Sequence, residues 1–223
     1  MTINKLYNIE AIKRDFSLGK LLSILLDDEV YPIRKQKLVF EKSEIFYMEN
    51  DEDSYVFAIE KGISSVFIGD QLVNFVGAGE FIGLHCEGST DETKFSGSVI
   101  SDEVVVWRFH FHDVLAKIMN IQEGYLYHYN YMISIYPIYL NKILAMGADV
   151  EERVFGFLEI LAGKFGEAEG PFVKIPSFFT RKLLSDYINV SRMTLNTTIK
   201  RLEEKELVVL DDRLIYVRMP LSQ

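Results

Sequence analysis

The feature that most constrains the fold is a change in the spacing of apolar residues along the chain. Between residues 30 and 110, short runs rich in Val, Ile, Phe and Tyr alternate with residues typical of turns. In the segments before and after this region, apolar residues recur every three or four positions. Alternating and β-branched runs favour strands, and three-to-four spacing favours amphipathic helices. The chain is therefore predicted to hold a sheet-rich region with helical segments before and after it.

Five runs in this region are predicted as strands. They are Lys37–Phe40, Ser54–Ile59, Ile63–Ile68, Gln71–Val76 and Val104–Phe109. Gly69 and Asp70, between two of these runs, form a tight-hairpin signal, because such pairs accept the positive φ that a two-residue turn requires. Many short strands separated by turns predict a β-roll, which is jelly-roll-like and resembles a double-stranded β-helix.

Helical spacing precedes the strands at residues 1–29 and returns after them at residues 111–165. The second stretch has a near-heptad seam, which predicts pairing of two copies along one long helix. The seam residues are Ile118, Ile121, Tyr125, His128, Met132, Ile135, Tyr139, Ile143 and Met146. Pro137 is predicted to kink or split the helix, and Asp149 is predicted to cap a second helix over residues 150–164.

The overall charge of −9 argues against nucleic acid as a partner, but the charge is unevenly distributed. Residues 174–223 hold nine Lys or Arg against six Asp or Glu, whereas residues 1–173 hold fifteen against twenty-seven. A locally basic C-terminal segment fits a DNA-binding domain attached to an acidic sensor, because only the docking face must attract phosphates. Charge scatter of no functional meaning is an equally good explanation of the charge alone.

Location is predicted from the cysteine count and from the apolar runs. The single cysteine, Cys86, excludes an intrachain disulfide and favours a reducing compartment. No apolar run is long enough for a membrane span, and the charged first sixteen residues do not fit a signal peptide. We therefore expect a cytoplasmic protein with no membrane partner.

The strongest functional pattern runs from Thr180 to Val217. Thr180 and Ser191 are predicted N-caps of two short helices joined by a three-residue turn. The second helix, from Arg192 to about Lys205, has an apolar face of Leu195, Ile199 and Leu202 and an opposite polar face. Two such helices followed by a small hairpin, the wing, predict a winged helix-turn-helix, whose second helix enters the major groove.

The run FTRKLLSDYINVSRMTLNTTIKRLEEKELVVLDDRLIYV resembles the DNA-binding domain of the Crp/Fnr family, and VGAGEFIGL resembles the Gly-Glu-Phe-x-Gly turn of that family's β-roll. The resemblance implies a homodimeric transcription regulator, not an enzyme, that binds double-stranded DNA at a palindromic operator and contacts RNA polymerase. It places base readout at Arg192, Met193, Asn196 and Thr197. Candidate backbone contacts are Thr180, Arg181, Ser191, Lys200 and Arg213.

The sensor region departs from cyclic-nucleotide-binding relatives at two positions. Leu84 stands where the resemblance implies a glutamate for the ribose, and Phe95 precedes Ser96 where it implies an arginine for the cyclic phosphate. Because a buried phosphate needs a partner, we expect no cyclic nucleotide binding. A different small effector could occupy the roll, and the candidate pocket residues are Leu84, Phe95, Ser96, Tyr127 and Tyr131.

A metal-binding or catalytic cupin-like β-roll without a DNA function is the alternative interpretation. It rests on His85, Cys86, His110 and His112, which are residue types that bind metals. His110 and His112 fall where a strand passes into a helix, which favours polar histidines at the rim of the roll. We expect no metal and no cofactor. One chain also cannot supply a four-cysteine cluster.

Three parts are therefore predicted. Residues 1–110 form the sensor, residues 111–147 the dimerisation helix and residues 148–223 the DNA-binding domain. The fold class is α+β.

Overall fold

A computed structural model of the chain describes residues 8–47, 54–84, 95–212 and 214–219. Two compact units are present, residues 1–140 and residues 141–223. The predicted division into sensor, dimerisation helix and DNA-binding domain concerns function and stays a prediction. No helix of the described ranges has the length and apolar character that a membrane crossing requires.

The first unit contains two antiparallel four-stranded sheets, which form the predicted β-roll. Its strands are β1 (Lys35–Glu41), β2 (Ile45–Tyr47), β3 (Tyr55–Lys61), β4 (Ser64–Ile68), β5 (Gln71–Val76), β6 (Phe81–Ile82), β7 (Phe95–Val99) and β8 (Glu103–His110). The sheet orders are β1-β8-β3-β6 and β2-β7-β4-β5. β4 and β5 pair as a hairpin across Gly69, whose φ of 53° is the positive value that the sequence predicted.

The interior of the roll is apolar because alternate residues of both sheets point into it. Phe57, Val104 and Val106 from one sheet pack with Phe46 and Val66 from the other. The opposite face of the first sheet carries a second core, in which helices cover Val56, Ala58 and Phe109. The roll is thus a filled sandwich with helices on one side.

Two N-terminal helices, α1 (Ile9–Asp15) and α2 (Leu18–Leu26), contribute to this covering layer. The two helices are separated at Phe16–Ser17, and the Ser17 side chain accepts a hydrogen bond from the Lys20 N–H. Gly19, a residue type that often interrupts helical spacing, lies inside α2. The capping serine, rather than the glycine, therefore determines where the second helix begins.

The helical stretch after the roll folds as two helices, α3 (Phe111–Met119) and α4 (Tyr125–Ala145), rather than as one. Glu123 has a φ of 61°, and a Cβ at Gly124 would lie 2.0 Å from the Ile118 carbonyl oxygen. Only glycine fits such a close approach of two backbone segments. Helix α4 continues through Pro137, so the proline does not split it.

A buried lysine connects α3 to the end of α2. Lys117 is 1% exposed, and its ammonium group donates a hydrogen bond to the backbone carbonyl of Asp27, the C-cap residue of α2. The last carbonyls of a helix have no partner within the helix. Lys117 therefore both anchors the N-terminal helices and supplies a donor to one of these carbonyls.

The second unit is a helical layer with one antiparallel sheet. Its elements are α5 (Val150–Phe165), β9 (Glu167–Glu169), β10 (Phe172–Ile175), α6 (Arg181–Ile188), α7 (Arg192–Glu204), β11 (Val208–Asp211) and β12 (Leu214–Arg218). The strand order is β11-β12-β10-β9. Asp149 caps α5 by accepting from the N–H groups of Glu151 and Glu152, as the sequence predicted. Strands β9 and β10 were not predicted from the sequence.

Candidate nucleic-acid interface and effector cavity

Helices α6 and α7 form a helix-turn-helix. Asn189 ends α6 in the left-handed conformation with a φ of 58°, and its N–H donates to the Ser185 carbonyl. Two residues later the Ser191 side chain accepts a hydrogen bond from the Thr194 N–H at 3.0 Å and starts α7. The turn is short because asparagine tolerates this φ and serine caps the next helix at once.

Helix α7 has one buried and one exposed face. Leu195, Ile199 and Leu202 are at most 1% exposed and pack into the unit. The four residues that the sequence assigns to base readout are all exposed: Arg192, Met193, Asn196 and Thr197. Met193 is 78% exposed, so its side chain is available for contact with a ligand. The N-terminal half of α7 is therefore exposed, as is required of a helix that enters the major groove of DNA.

The candidate backbone contacts differ in their surroundings. Thr180 and Ser191 are N-caps, and Lys200 is exposed on α7. Arg181 is half-buried, and its Nη1 has no hydrogen-bond partner within the described part of the chain. Burial lowers the pKa of Arg181, and the nearby Glu203 carboxylate opposes that shift. Arg213 lies outside the described residues, so its role stays a prediction.

Ser191 allows capping and DNA contact to be separated by mutation. Ser191→Ala should destabilise the protein by about 1 kcal/mol, because the Thr194 N–H loses its acceptor. Ser191→Asp retains a capping oxygen but places a negative charge where a phosphate is predicted, so stability should stay within about 0.5 kcal/mol while DNA affinity falls. Urea unfolding and DNA titration measure the two effects. Unchanged DNA affinity of Ser191→Asp would remove Ser191 from the interface.

A groove of about 530 Å³ runs between the start of α5 and α7. Met193, Thr197 and Arg201 line one wall, and Asp149 and Glu151 lie on the other. Glu151 forms an ion pair with Lys205, and Asp149 is occupied as an N-cap, so both carboxylates have partners. Arg201 was not among the predicted contacts, although its position four residues after Thr197 places it on the same face.

Three solved structures with similar folds match nearly the whole chain. A cyclic nucleotide-binding domain containing protein from Listeria monocytogenes has 17% identity and a TM-score of 0.72, with 92% of this chain and 97% of that chain covered. FixK2 from Bradyrhizobium japonicum has 16% identity and a TM-score of 0.69, covering 84% and 94%. A Eubacterium rectale protein assigned to the Crp/Fnr transcriptional regulators has 13% identity and a TM-score of 0.62, covering 95% of each chain.

These matches include both the β-roll and the winged helix-turn-helix. The chain has the Crp/Fnr fold. No protein-family model matches the sequence, and no curated protein matches it. The identity of the structural matches is low, so they show how the chain folds, and its ligands have to be argued from its own residues.

The Crp/Fnr roll of this chain contains a cavity of about 110 Å³ between its second sheet and α4. Two of the five candidate pocket residues, Phe95 and Tyr131, line the cavity. Leu84 and Tyr127 are buried in the core that the helices cover, and Ser96 lies in β7. The polar lining residues that the sequence analysis did not select are Asn74, Glu80, Ser134 and Tyr139.

The cavity lining contains a carboxylate but, among the described residues, no Lys, Arg or His. Glu80 Oε2 accepts a hydrogen bond from the Gly77 N–H at 2.8 Å, which fixes the carboxylate in the glycine turn. Burial raises the pKa of Tyr131, and the neighbouring Tyr139 raises it further, so its hydroxyl stays neutral. The lining can therefore recognise a ligand by hydrogen bonding but has no cation for a phosphate.

Two side chains of α4 contact the turn that follows β6. Tyr131 and His128 both lie close enough to the backbone of Leu84 for it to affect their pKa values. Burial lowers the pKa of His128, although the Leu84 backbone opposes the shift. His128 was predicted in the dimer seam, but its ring lies against the roll of its own chain. Tyr139, another predicted seam residue, lines the roll cavity.

The exposed apolar face of α4 lies beside the predicted seam. It consists of Tyr125, Tyr129, Tyr136, Leu140, Ile143 and Leu144. Tyr125 and Ile143 belong to the predicted interface and are exposed, Met132 is partly buried against the core, and Ile121 lies in the turn before α4. Most of these residues are three, four or seven positions apart, which makes this face, here called the α4 stripe, a narrow seam of the kind that pairs helices.

The metal-binding alternative depends on histidines at the rim of the roll. His110 ends β8 and precedes α3, and its ring lies 4.9 Å from that of Tyr55. No three His, Cys, Asp or Glu side chains come together as a candidate metal site within the described ranges. His85 and Cys86 lie outside those ranges, so the structure adds nothing on them.

Proposed function

We propose that this chain is a sequence-specific DNA-binding transcription regulator. The observation that carries the proposal is helix α7, whose buried Leu195–Ile199–Leu202 face fixes it in the unit while Arg192, Met193, Asn196 and Thr197 remain exposed. A guanidinium group can bond guanine O6 and N7 at once, and an apolar side chain can contact the thymine methyl group. Thr180, Ser191, Lys200 and Arg201 supply candidate phosphate contacts.

The regulator acts as a homodimer through the α4 stripe. The stripe is an apolar seam on one helix, and a second copy of the same helix is the partner that matches its length and spacing. Two copies related by a two-fold axis present two α7 helices. Such a dimer reads an inverted repeat whose half-sites are about 10 base pairs apart. Cytoplasmic location and contact with RNA polymerase follow from the same role.

Selection of bound sequences from random DNA tests this function directly. The recovered sequences should contain an inverted repeat, and the selection repeated in cell extract should reveal whether an effector sharpens it. Arg192→Ala protein provides the matched control, because its selection should lose one symmetric pair of preferred positions. Recovery of no motif by the full chain, with and without extract, would contradict the proposal.

A small uncharged or cationic molecule is the effector class that the roll cavity favours. The volume of about 110 Å³ is small, and the described lining offers Glu80, Asn74 and tyrosine hydroxyls rather than a cation. Binding there would act on α4 through Tyr131, which lines the cavity and belongs to that helix. The effector would thereby change the populations of two conformations of the regulator.

Cyclic AMP should not bind directly. The reason is that Leu84 and Phe95 stand at the positions of the expected glutamate and arginine, and burying a phosphate without a cation is costly. Isothermal titration calorimetry with cyclic AMP should show no saturable heat at ligand concentrations up to about 1 mM, a limit corresponding to about −4 kcal/mol. Saturable binding in the micromolar range would show that the roll holds the phosphate by other residues.

A cupin-like enzyme without a DNA function fits the molecule less well. A roll that only binds metal has no use for a second unit with a capped helix-turn-helix and an exposed reading face. A metal-content measurement on purified protein, compared with the His110→Gln variant, distinguishes the two proposals.

A further inference from the structure

The β-roll has a second hollow that the regulator function does not use. It measures about 310 Å³ and is lined by Arg34, Lys35, Gln36, Tyr55, Arg108 and His110. No Asp or Glu lines it among the described residues. Residues 1–140 hold twelve Lys or Arg against twenty-one Asp or Glu, so a hollow with three permanent cations is an exception to the charge of its own unit.

The sheet register brings these groups together. β8 pairs with β1 on one side and β3 on the other, so Gln36 lies opposite Arg108 and Tyr55 lies opposite His110. His110 also marks the start of α3, and the positive end of a helix dipole adds to the local potential. The cluster is therefore formed by three adjacent strands rather than by unrelated surface side chains.

Arg108 is held in one orientation. Its guanidinium carbon lies 4.7 Å from the centre of the Tyr55 ring, and its Nη2 donates to Gln36 Oε1 at 2.6 Å. A guanidinium group has five N–H donors, so this contact leaves most of them for a ligand. A planar fork that is already oriented loses little entropy when it binds an oxyanion through two hydrogen bonds.

Two further cations complete the hollow. Arg34 is exposed, and Lys35 forms an ion pair with Asp28, whose carboxylate reduces but does not remove the positive potential. A ligand with a single charge would use Arg108 alone. Arg34 and Lys35 offer a position for a second anionic group beside the first.

We propose that this hollow binds a small polyanion carrying phosphate or carboxylate groups, at a site separate from the roll cavity and from α7. Arg108 holds one oxyanion through its guanidinium fork, and Arg34 and Lys35 neutralise the second. A volume of about 310 Å³ suits a small metabolite. This site goes beyond DNA recognition and does not depend on it.

Calorimetry on the full chain without DNA, in about 150 mM salt to screen diffuse attraction, tests the site. The probes are inorganic pyrophosphate and citrate, with glycerol as the neutral comparison. One pyrophosphate or citrate should bind per chain, and the tighter of the two identifies the phosphate or the carboxylate class. Arg108→Gln should weaken that binding at least about tenfold, and Arg108→Lys should weaken it less, because charge remains without the fork.

Two control variants make the test specific. Lys37 lies in β1 beside Lys35 and Gln36, forms an ion pair with Glu60 and does not line the hollow. Lys37→Gln should therefore change the affinity for the probe less than about twofold. Arg192→Ala should have no effect, which excludes binding at α7. Arg34→Gln changes an exposed residue and keeps the test valid if Arg108 variants do not fold. The proposal is overturned if neither probe saturates, or if Arg108→Gln and Arg34→Gln bind like the unmodified chain.

Discussion

Replacing both Arg192 and Thr197 with alanine is expected to abolish sequence-specific DNA binding. Both side chains are exposed on the N-terminal half of α7, where a helix-turn-helix reaches base edges. Each lost base contact should cost about 1–3 kcal/mol, so the double variant should lose affinity for its operator on the order of 100-fold. Affinity for unrelated DNA should change much less, because phosphate attraction remains.

Binding curves on a selected operator and on scrambled DNA, each at several salt concentrations, measure this effect. Lys13→Ala is the matched control, because it removes an exposed cation from α1, outside the DNA-binding unit. Arg192→Ala alone distinguishes two roles. Base reading predicts altered preference at one symmetric pair of positions, whereas phosphate contact predicts a uniform loss and a smaller salt slope. Full specific affinity in the double variant would exclude α7 as the reading helix.

Replacing Tyr129 and Tyr136 with aspartate is expected to convert the dimer into monomers. The two residues are 42% and 66% exposed and lie seven positions apart on the α4 stripe. Pairing of two copies would bury both carboxylates without partners, and each unpaired buried charge costs several kcal/mol. The dissociation constant should therefore rise at least about 100-fold, which corresponds to roughly 2.7 kcal/mol.

Sedimentation at micromolar protein, with and without operator DNA, measures this change. Asn141→Asp is the matched control, since it adds the same charge to an exposed position about 140° around the helix from Tyr136. The control should remain a dimer. Because both tyrosines are exposed in the single chain, the variants should keep the circular dichroism of the folded chain, while the melting temperature should fall by the contribution that dimerisation makes. A monomer in the unmodified protein, or a stable dimer after both substitutions, would exclude the α4 stripe as the interface.

The helix-turn-helix could be predicted from the sequence because its information is local. Thr180 and Ser191 are capping residue types, and Leu195, Ile199 and Leu202 have helical spacing. Both helices begin where those caps predict. The strands β2, β7, β9 and β10 were not predicted. They have only three to five residues, and β2, β7 and β10 pair with partners far away in sequence, while β9 pairs only with the equally short β10 that follows it.

Which residues of α4 face the roll and which face outward could not be predicted, for a different reason. The predicted seam was counted continuously from Ile118 and Ile121, but Ile118 belongs to α3 and Ile121 lies in the turn. Where a helix is interrupted, the residues of the next helix no longer continue the angular positions of the first, so its side chains point in other directions. His128 and Tyr139 therefore face the roll, while Tyr129 and Tyr136 face outward. Nothing in the local pattern indicates this break except Gly124, whose close approach to Ile118 is visible only in three dimensions.

The lining of the roll cavity could also be predicted only in part. Phe95 was selected because it stands at the position of the expected arginine and Tyr131 because it is a tyrosine of the long helix, and both line the cavity. Asn74 and Tyr139 come from β5 and α4, which are distant in sequence and meet only after folding. Sequence patterns therefore identify the element that carries a site more readily than they identify the residues that complete it.

The bond between Lys117 and the carbonyl of Asp27 has a consequence for which substitutions this chain can tolerate. A backbone carbonyl is present whichever residue occupies position 27, so the acceptor survives every substitution there. The donor has no such protection, because only a long cationic side chain at position 117 reaches it from within the core. For this bond the constraint is thus one-sided, because position 117 alone has to supply a particular side chain, whereas the Asp27 side chain matters through a different contact, in which its Oδ1 accepts from the Glu29 N–H.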